Sequence, residues 1–409
     1  MASDASVLEG QSCIVGGIEM PRPFKIRRLG HFGLDLDDIR AGRDFYEKLL
    51  GFRVSDTLDL GARLPAGERE EAGDGTGYFM RHGGDHHSLV IFPRKVRQRL
   101  GRGRPTHVTV NQITWQVGSL REVVEAQSWL GARDIKIHRS GRDNPGSNWH
   151  CYPADPDGHT NELYYGIEQI GWNGKAKPAE LYARGFHDAP DLPQMSEEEE
   201  VFRAEAAGVD LHTGYVQRES MPATYDVDGV LLPRPFKVVR IGPIGIYVDD
   251  VDAVSRFYQQ IMGLTLTREV TYHGHRCAFL RCNTEHHSLA LYPKALRAEL
   301  NGAEDSTCMS LGLQVANYRQ LRDAVAFLKA RGRNVVDMPG ELFPGVDYAA
   351  AVVDPDGVRV ILYAYMEQVV GAAPAAPHAV ANTRVETWPE RISPRGDTYM
   401  GEAYLGPWG

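Results

Sequence analysis

The octapeptide HHSLVIFP at residues 86–93 returns as HHSLALYP at residues 286–293, each copy headed by a pair of histidines. Imidazole changes charge near neutral pH, so a histidine held in a cavity can take up a proton and give it back. A doubled histidine ahead of alternating apolar residues either does such chemistry or records a duplication. Glu162 poses a related problem, because it stands in the apolar run NELYY. An unpartnered buried carboxylate there is too costly to be mere packing. His31 sits in the alternating stretch GHFGLDL, where a histidine is either a hydrogen-bonded core residue or a ligand.

Three blocks recur in the same order, which marks a tandem duplication. PRPFKIRRLGHFGLDL (21–36) matches PRPFKVVRIGPIGIYV (233–248), the HHSL octapeptides follow, and DPDGHTNELY (155–164) matches DPDGVRVILY (354–363). The units span 22–172 and 233–368, with a leader at 1–21. The linker at 173–232 contains DLPQMSEEEE, in which Ser196 before the glutamates predicts the start of a short helix. The Ala/Pro-rich and then aromatic segment 369–409 reads as an arm packing on the body or on a neighbouring subunit.

Each unit divides again. An alternating strand, LGHFGLDL, leads into a helix with Phe45, Tyr46, Leu49 and Leu50 at helical spacing, then shorter strands ending at HHSLVIFP. The pattern restarts with NQITWQV, the helix SLREVVEAQSWLGA, and strands ending in NELYYG. The expected fold class is α+β: four βαβββ modules paired into two barrel-like domains. A small sheet of this kind leaves one face uncovered, so two must pair and curl around a cavity.

Composition narrows the function. The chain has 409 residues, a net charge of −9 and few basic runs, which argues against a nucleic-acid partner. No apolar run reaches membrane-spanning length and MASDASVLEG lacks the regions of a signal peptide, so a cytoplasmic protein without a membrane partner is expected. The five cysteines are not spaced as CxxC pairs and predict neither a disulfide framework nor a thiolate zinc site.

The four modules, DPDG shortly before ELYYG, and the HHSL strands resemble the vicinal oxygen chelate superfamily, and the two-unit arrangement resembles its type I extradiol ring-cleaving dioxygenases. The resemblance covers both units and leaves out leader, linker and tail. It implies a 2-His-1-carboxylate site holding Fe(II), or Mn(II), with positions open for a catecholate and O2. Aligning the modules carries that ligand set onto His31, Gln112 and Glu162; the second unit has Pro243, Ser310 and Ile361 there, none of them a ligand. Two departures follow. The metal moves to the N-terminal unit, whereas the resembled enzymes usually keep it in the C-terminal one, and a glutamine replaces the second histidine. His150, two residues before Tyr152 in NWHCYP and so on the same strand face, is the alternative third ligand.

The resemblance further implies that His87 is the acid/base beside the metal, with a pKa near neutrality, and that His287 is its relic. It makes Tyr152 an active-site hydrogen-bond donor and places His138, Asp143 and His150 around the substrate, although Asp143 stands where the family carries a histidine. The expected activity is extradiol cleavage of a small catecholic substrate by a homo-oligomer. A glyoxalase-like isomerase or lyase, and a metal-free ligand-binding protein, remain the alternatives.

Overall fold

A computed structural model describes residues 12–101, 105, 107–142, 145–146, 148–171, 173–181, 189–369 and 380–393. In the first unit the strands, in chain order, are β1 (Arg28–Leu36), β2 (Arg53–Asp59), β3 (Thr76–Arg81), β4 (Leu89–Pro93), β5 (Val110–Gln116), β6 (Ile137–Arg142), β7 (Trp149–Pro153) and β8 (Asn161–Tyr165). They form one eight-stranded sheet, ordered β2-β3-β4-β1-β5-β8-β7-β6. Each module supplies four neighbouring strands. Their first strands, β1 and β5, meet antiparallel at the centre, flanked by the parallel last strands β4 and β8. His31, Gln112 and Glu162 therefore fall on the central strands.

The helices form where the sequence pattern asks for them. Ser119 caps Leu120–Gly131, which buries Val123, Ala126 and Leu130 along one face. Asp38 caps Ile39–Asp44, and the chain continues as a π-helical turn, Phe45–Leu49, that buries Phe45, Tyr46 and Leu49.

The second unit repeats the plan with β9 (Val238–Val248), β10 (Thr265–Tyr272), β11 (His275–Arg281), β12 (Leu289–Pro293), β13 (Cys308–Val315), β14 (Val335–Val336), β15 (Ala349–Val353) and β16 (Arg359–Tyr363). The duplication reaches further upstream than the sequence blocks suggest. Short hairpins, Cys13–Val15 with Ile18–Met20 and Tyr225–Val227 with Val230–Leu232, precede the two units. Gly16 and Gly17, and Asp228 and Gly229, take positive φ at their turns, the conformation that tight two-residue hairpins require. The leader and the end of the linker thus each contain a piece of the repeat.

The units share one continuous apolar core, running from Phe32 and Trp115 in the first to Ile244 and Leu311 in the second. Reciprocal polar contacts fix their relation. Tyr46 Oη donates to Asp354 Oδ2 at 3.0 Å, and Tyr258 Oη to Asp155 Oδ2 at 3.2 Å. The other oxygen of each aspartate accepts backbone N–H groups of its own DPDG turn, from His159 and Val358, both at 2.8 Å. Thr109 and Thr307 exchange backbone-to-hydroxyl bonds of 3.1 and 2.9 Å. Arg22 and Arg234, from the two PRPF blocks, donate to carbonyls at the end of the opposite unit's π-turn, Gln259 and Gln260 on one side, Glu47 and Lys48 on the other.

In the linker, Ser196 caps the helix Glu197–Ala206, as the sequence predicts, and Glu200 on that helix binds Arg142 of β6. In the described part of the arm, Thr383 donates to Met338 O and Trp388 packs by Tyr318 and Tyr348. Among the described residues no helix is long and apolar enough to cross a membrane.

Candidate functional site

His31 on β1, Thr114 on β5 and Glu162 on β8 lie opposite one another in neighbouring strands. The side chains of such a row share a sheet face, so the imidazole and the carboxylate lean together over the short threonine. His31 Nε2 is 3.1 Å from Glu162 Oε2, and Thr114 Oγ1 donates to the same oxygen at 3.2 Å. Glu162 Oε1 accepts from Asn148 Nδ2 at 2.5 Å and lies 3.8 Å from His150 Nδ1. Burial pushes the Glu162 carboxyl up, but His31, by charge and hydrogen bond, with His150 and Tyr152 beside it, holds it at about 2. It is a buried anion at neutral pH.

A β-bulge places the next residue. The β1–β5 ladder pairs Gly33 with Gln112 and then Leu34 with Val110, leaving Asn111 as the extra residue. A bulge turns two successive side chains to one side. Asn111 lies over Gly33, where a Cβ would come within 2.1 Å of its Oδ1, and donates to Asp35 at 3.0 Å. Gln112 faces a cavity of about 90 Å³ that His87, His150, Tyr152 and Glu162 also line. Strand alternation does turn His150 and Tyr152 to one face, their ring centroids 4.6 Å apart.

His87 Nε2 is 3.3 Å from His31 Nε2, and its Nδ1 is 3.0 Å from His86 Nδ1. Phe79 packs edge-on at 5.1 Å, and Gly146, at φ +91°, brings its backbone so close that a Cβ would be 2.7 Å from His87 Cε1. The near-neutral pKa expected from the sequence does not survive this packing. Burial, then the neighbouring His31 and His86, push His87 well below the usual histidine range, and it stands as a neutral imidazole. Burial likewise takes His150 down to about 3 and raises the Tyr152 hydroxyl, Glu162 adding to the latter.

The second unit keeps the packing of the histidine pair. His286 Nδ1 and His287 Nδ1 are 3.0 Å apart, Phe279 lies 5.1 Å from His287, and Gly345 covers His286. The doubled histidine is thus a packing unit inherited by both halves, and in the first half its second ring also faces an imidazole and a carboxylate.

His138 falls in the register shift between β6 and β7, and its neighbour Arg139, rather than His138 itself, is among the residues lining the cavity. Asp143 lies outside the described residues. Two residues the sequence reading missed hold Glu162: Thr114, two positions after Gln112, and Asn148, two before His150. Strand alternation from Gln112 would have found Thr114, whereas Asn148 lies just before the strand Trp149–Pro153.

The donors fit a divalent metal in part. Neighbouring ligands of an octahedral ion with bonds near 2.1 Å are about 3 Å apart, which matches the His31–Glu162 separation of 3.1 Å. Among the described residues no three His, Cys, Asp or Glu side chains form a ready cage. A carboxamide lies outside that set, and Gln112 lines the same cavity wall as His150. Among the described residues His31 Nδ1 is buried with no hydrogen-bond partner.

A family model, that of the Glyoxalase/Bleomycin resistance protein/Dioxygenase superfamily, matches residues 28–163 and 240–362, more than half of the chain. The chain belongs to this superfamily. Within the superfamily it is 26% identical over 145 residues to the 3-methylcatechol 2,3-dioxygenase of Pseudomonas putida strain F1, a match that covers 35% of this chain and 43% of that protein. The chain therefore aligns with less than half the length of that relative. Two solved superfamily structures share the fold. The Mn(II)-bound glyoxalase from Novosphingobium aromaticivorans superposes with a TM-score of 0.52 at 14% identity, covering 86% of both chains. Homoprotocatechuate 2,3-dioxygenase from Arthrobacter globiformis gives 0.51 at 15% identity, covering 85% of this chain and 82% of the other. The two paired-module domains expected from the sequence are those of this superfamily.

Proposed function

We propose that the protein is an extradiol-type dioxygenase that opens a catecholic ring with O2, and that the reaction takes place in the first unit. The observation that carries this reading is the buried His31–Glu162 pair meeting His87 at the edge of a cavity. The metal, Fe(II) or Mn(II), would be held by His31, Glu162 and Gln112. When bound it supplies a Lewis-acidic, redox-active centre for vicinal oxygens and O2. Both atoms of O2 end in a ring-opened semialdehyde or dienoate product.

The remaining work falls to side chains of the cavity. His87 is neutral and accepts a catechol hydroxyl proton at Nε2, returning it as the ring opens. Its low basicity in the closed site is offset only when the substrate leaves an anion beside it. Tyr152 keeps its proton and donates a hydrogen bond to a substrate oxygen. Leu58, Phe79 and Phe92 hold the ring and exclude water, while Thr114 and Asn148 fix the Glu162 carboxylate. The cytoplasmic, homo-oligomeric setting expected from the sequence belongs to the same proposal.

The test is anaerobic loading with Fe(II), or Mn(II), followed by oxygen uptake and the yellow absorbance of a ring-opened product on adding 4-methylcatechol. Gln112 favours a second reading, since a neutral carboxamide suits a metal that acts only as a Lewis acid in a glyoxalase-like isomerase or lyase. Turnover of an α-keto aldehyde adduct without O2, and no oxygen uptake with any catechol, would select it.

A further inference from the structure

We infer that the substrate carries a carboxylate away from its diol, and that Arg63 and Arg139 at the cavity mouth receive it. This rests on the catechol reading of the same site and names the class of catechol.

The cavity has two kinds of wall. Leu58, Leu60, Phe79 and Phe92 give it an apolar lining, and Gln112, His150 and Glu162 line it as well. The charges around it are one-sided. Among the described residues, Glu162 is the only carboxylate lining the cavity, and His31, Thr114 and Asn148 already occupy its oxygens. Three guanidinium groups face it, Arg63, Arg97 and Arg139, in a chain whose net charge is −9.

They differ in what they already do. Arg97 is engaged by Asp35, 3.4 Å away, and lies over the Phe92 ring at 5.2 Å. Arg139 spreads over the Tyr152 ring at 4.7 Å, with Nη2 3.4 Å from the Tyr152 hydroxyl, so it is tied to a residue of the site. Arg63 ends the short turn Gly61–Arg63 and makes no ion pair or hydrogen bond through its side chain with any described residue. A guanidinium fork matches a carboxylate in plane and charge, and a positive mouth on an acidic protein draws an anionic ligand in. A wholly neutral alkylcatechol would make no use of the Arg63 guanidinium.

The test uses the full chain loaded anaerobically with Fe(II), with dissociation constants measured by calorimetry. Catechols bearing a carboxylate on arms of no, one or two carbons are compared with 4-methylcatechol, and phenylacetate serves as a probe that lacks the diol. At least one carboxylated catechol should bind about tenfold or more tighter than 4-methylcatechol. That advantage should shrink with added salt, fall about tenfold in Arg63→Gln and in Arg139→Gln, and vanish in the double variant, with 4-methylcatechol affinity unchanged in Arg63→Gln. An unaltered melting temperature will show that Arg63→Gln is folded. Equal affinity for neutral and carboxylated catechols across the series, or an advantage that survives the double variant, overturns the inference and leaves the dioxygenase reading standing. Binding of phenylacetate that needs the two arginines, with no binding of any catechol, supports the anion site and removes the catechol reading.

Discussion

The two units are built on one plan and differ in what fills the barrel. In the first unit the row His31–Thr114–Glu162 crosses three strands and opens on a cavity. In the second, Gly312 pairs with Ile361 where Thr114 pairs with Glu162, and Pro243 takes the His31 place. Counting from the DPDG turns, His150 and Tyr152 correspond to Ala349 and Ala351. Ile361, Met309, Phe279 and the two alanines join a buried apolar cluster that occupies the interior. Backbone pairing, the histidine pair and its glycine cover persist in both, so the frame does not depend on the site. One half has traded chemistry for packing, and the reciprocal tyrosine–aspartate contacts tie it to the half that has not.

The largest expected difference between the halves is metal. Glu162→Ala should lose essentially all bound iron by anaerobic metal analysis while keeping its far-ultraviolet circular dichroism, whereas Ile361→Ala should keep its iron. The latter variant should instead lose about 2–4 kcal/mol of stability in denaturant unfolding, the usual cost of truncating a buried isoleucine. Unchanged iron in Glu162→Ala would remove the site from the first unit.

Turnover should separate the histidine pairs next. His87→Ala should lower kcat by about 10² to 10⁴, the range for a general acid/base, with iron retained, and His287→Ala should leave kcat within about twofold of the parent. Similar losses in both would show that the pair acts through packing alone.

A smaller contrast concerns the two DPDG aspartates. Asp155 has His159 within 3.2 Å, whereas Asp354 has Val358 at the matching position. Burial raises the Asp354 carboxyl from 3.8 to about 6, against the hydrogen bonds it accepts. A carboxyl whose folded pKa is raised favours folding at low pH, and that contribution is lost as the pH climbs through the folded value. The stability difference between the parent and Asp354→Asn should therefore shift against the parent between about pH 4 and 6, by about 2–3 kcal/mol at most. Urea midpoints at several pH values measure it, and a pH-independent difference would contradict the assignment.

The finest test concerns the ligand set. Gln112→His should bind iron as tightly as the parent or more tightly, imidazole being the better donor, and His150→Ala should keep its metal. Loss of metal in His150→Ala, with none in Gln112→Ala, would move the third ligand from β5 to β7.

Much of this was legible along the chain. The repeated blocks gave the two units and their four modules, because a duplicated sequence repeats its hydrophobic pattern and hence its strands. The module alignment put His31 and Gln112 on first strands and Glu162 on a last strand, and alternation turned His150 and Tyr152 inward together. The hairpins before each PRPF block escaped notice because CIVGGIEM and YDVDGVLL share little beyond an apolar alternation around a turn. Arg139 was passed over for His138 because a register shift between β6 and β7 breaks the alternation that would have chosen between them.

The sequence by itself determined the duplication, the fold class and the replacement of His31, Gln112 and Glu162 by Pro243, Ser310 and Ile361 in the second half, since each depends on residue identity at a repeating position. Only the tertiary structure decided how the parts meet: the bulge that turns Asn111 and Gln112 inward together, the asparagine and threonine that hold Glu162, and the tyrosines that reach across to the other unit's turn. It also decided the protonation of His87, because burial and the approach of two other imidazoles set that imidazole's basicity, and neither is written in the order of residues.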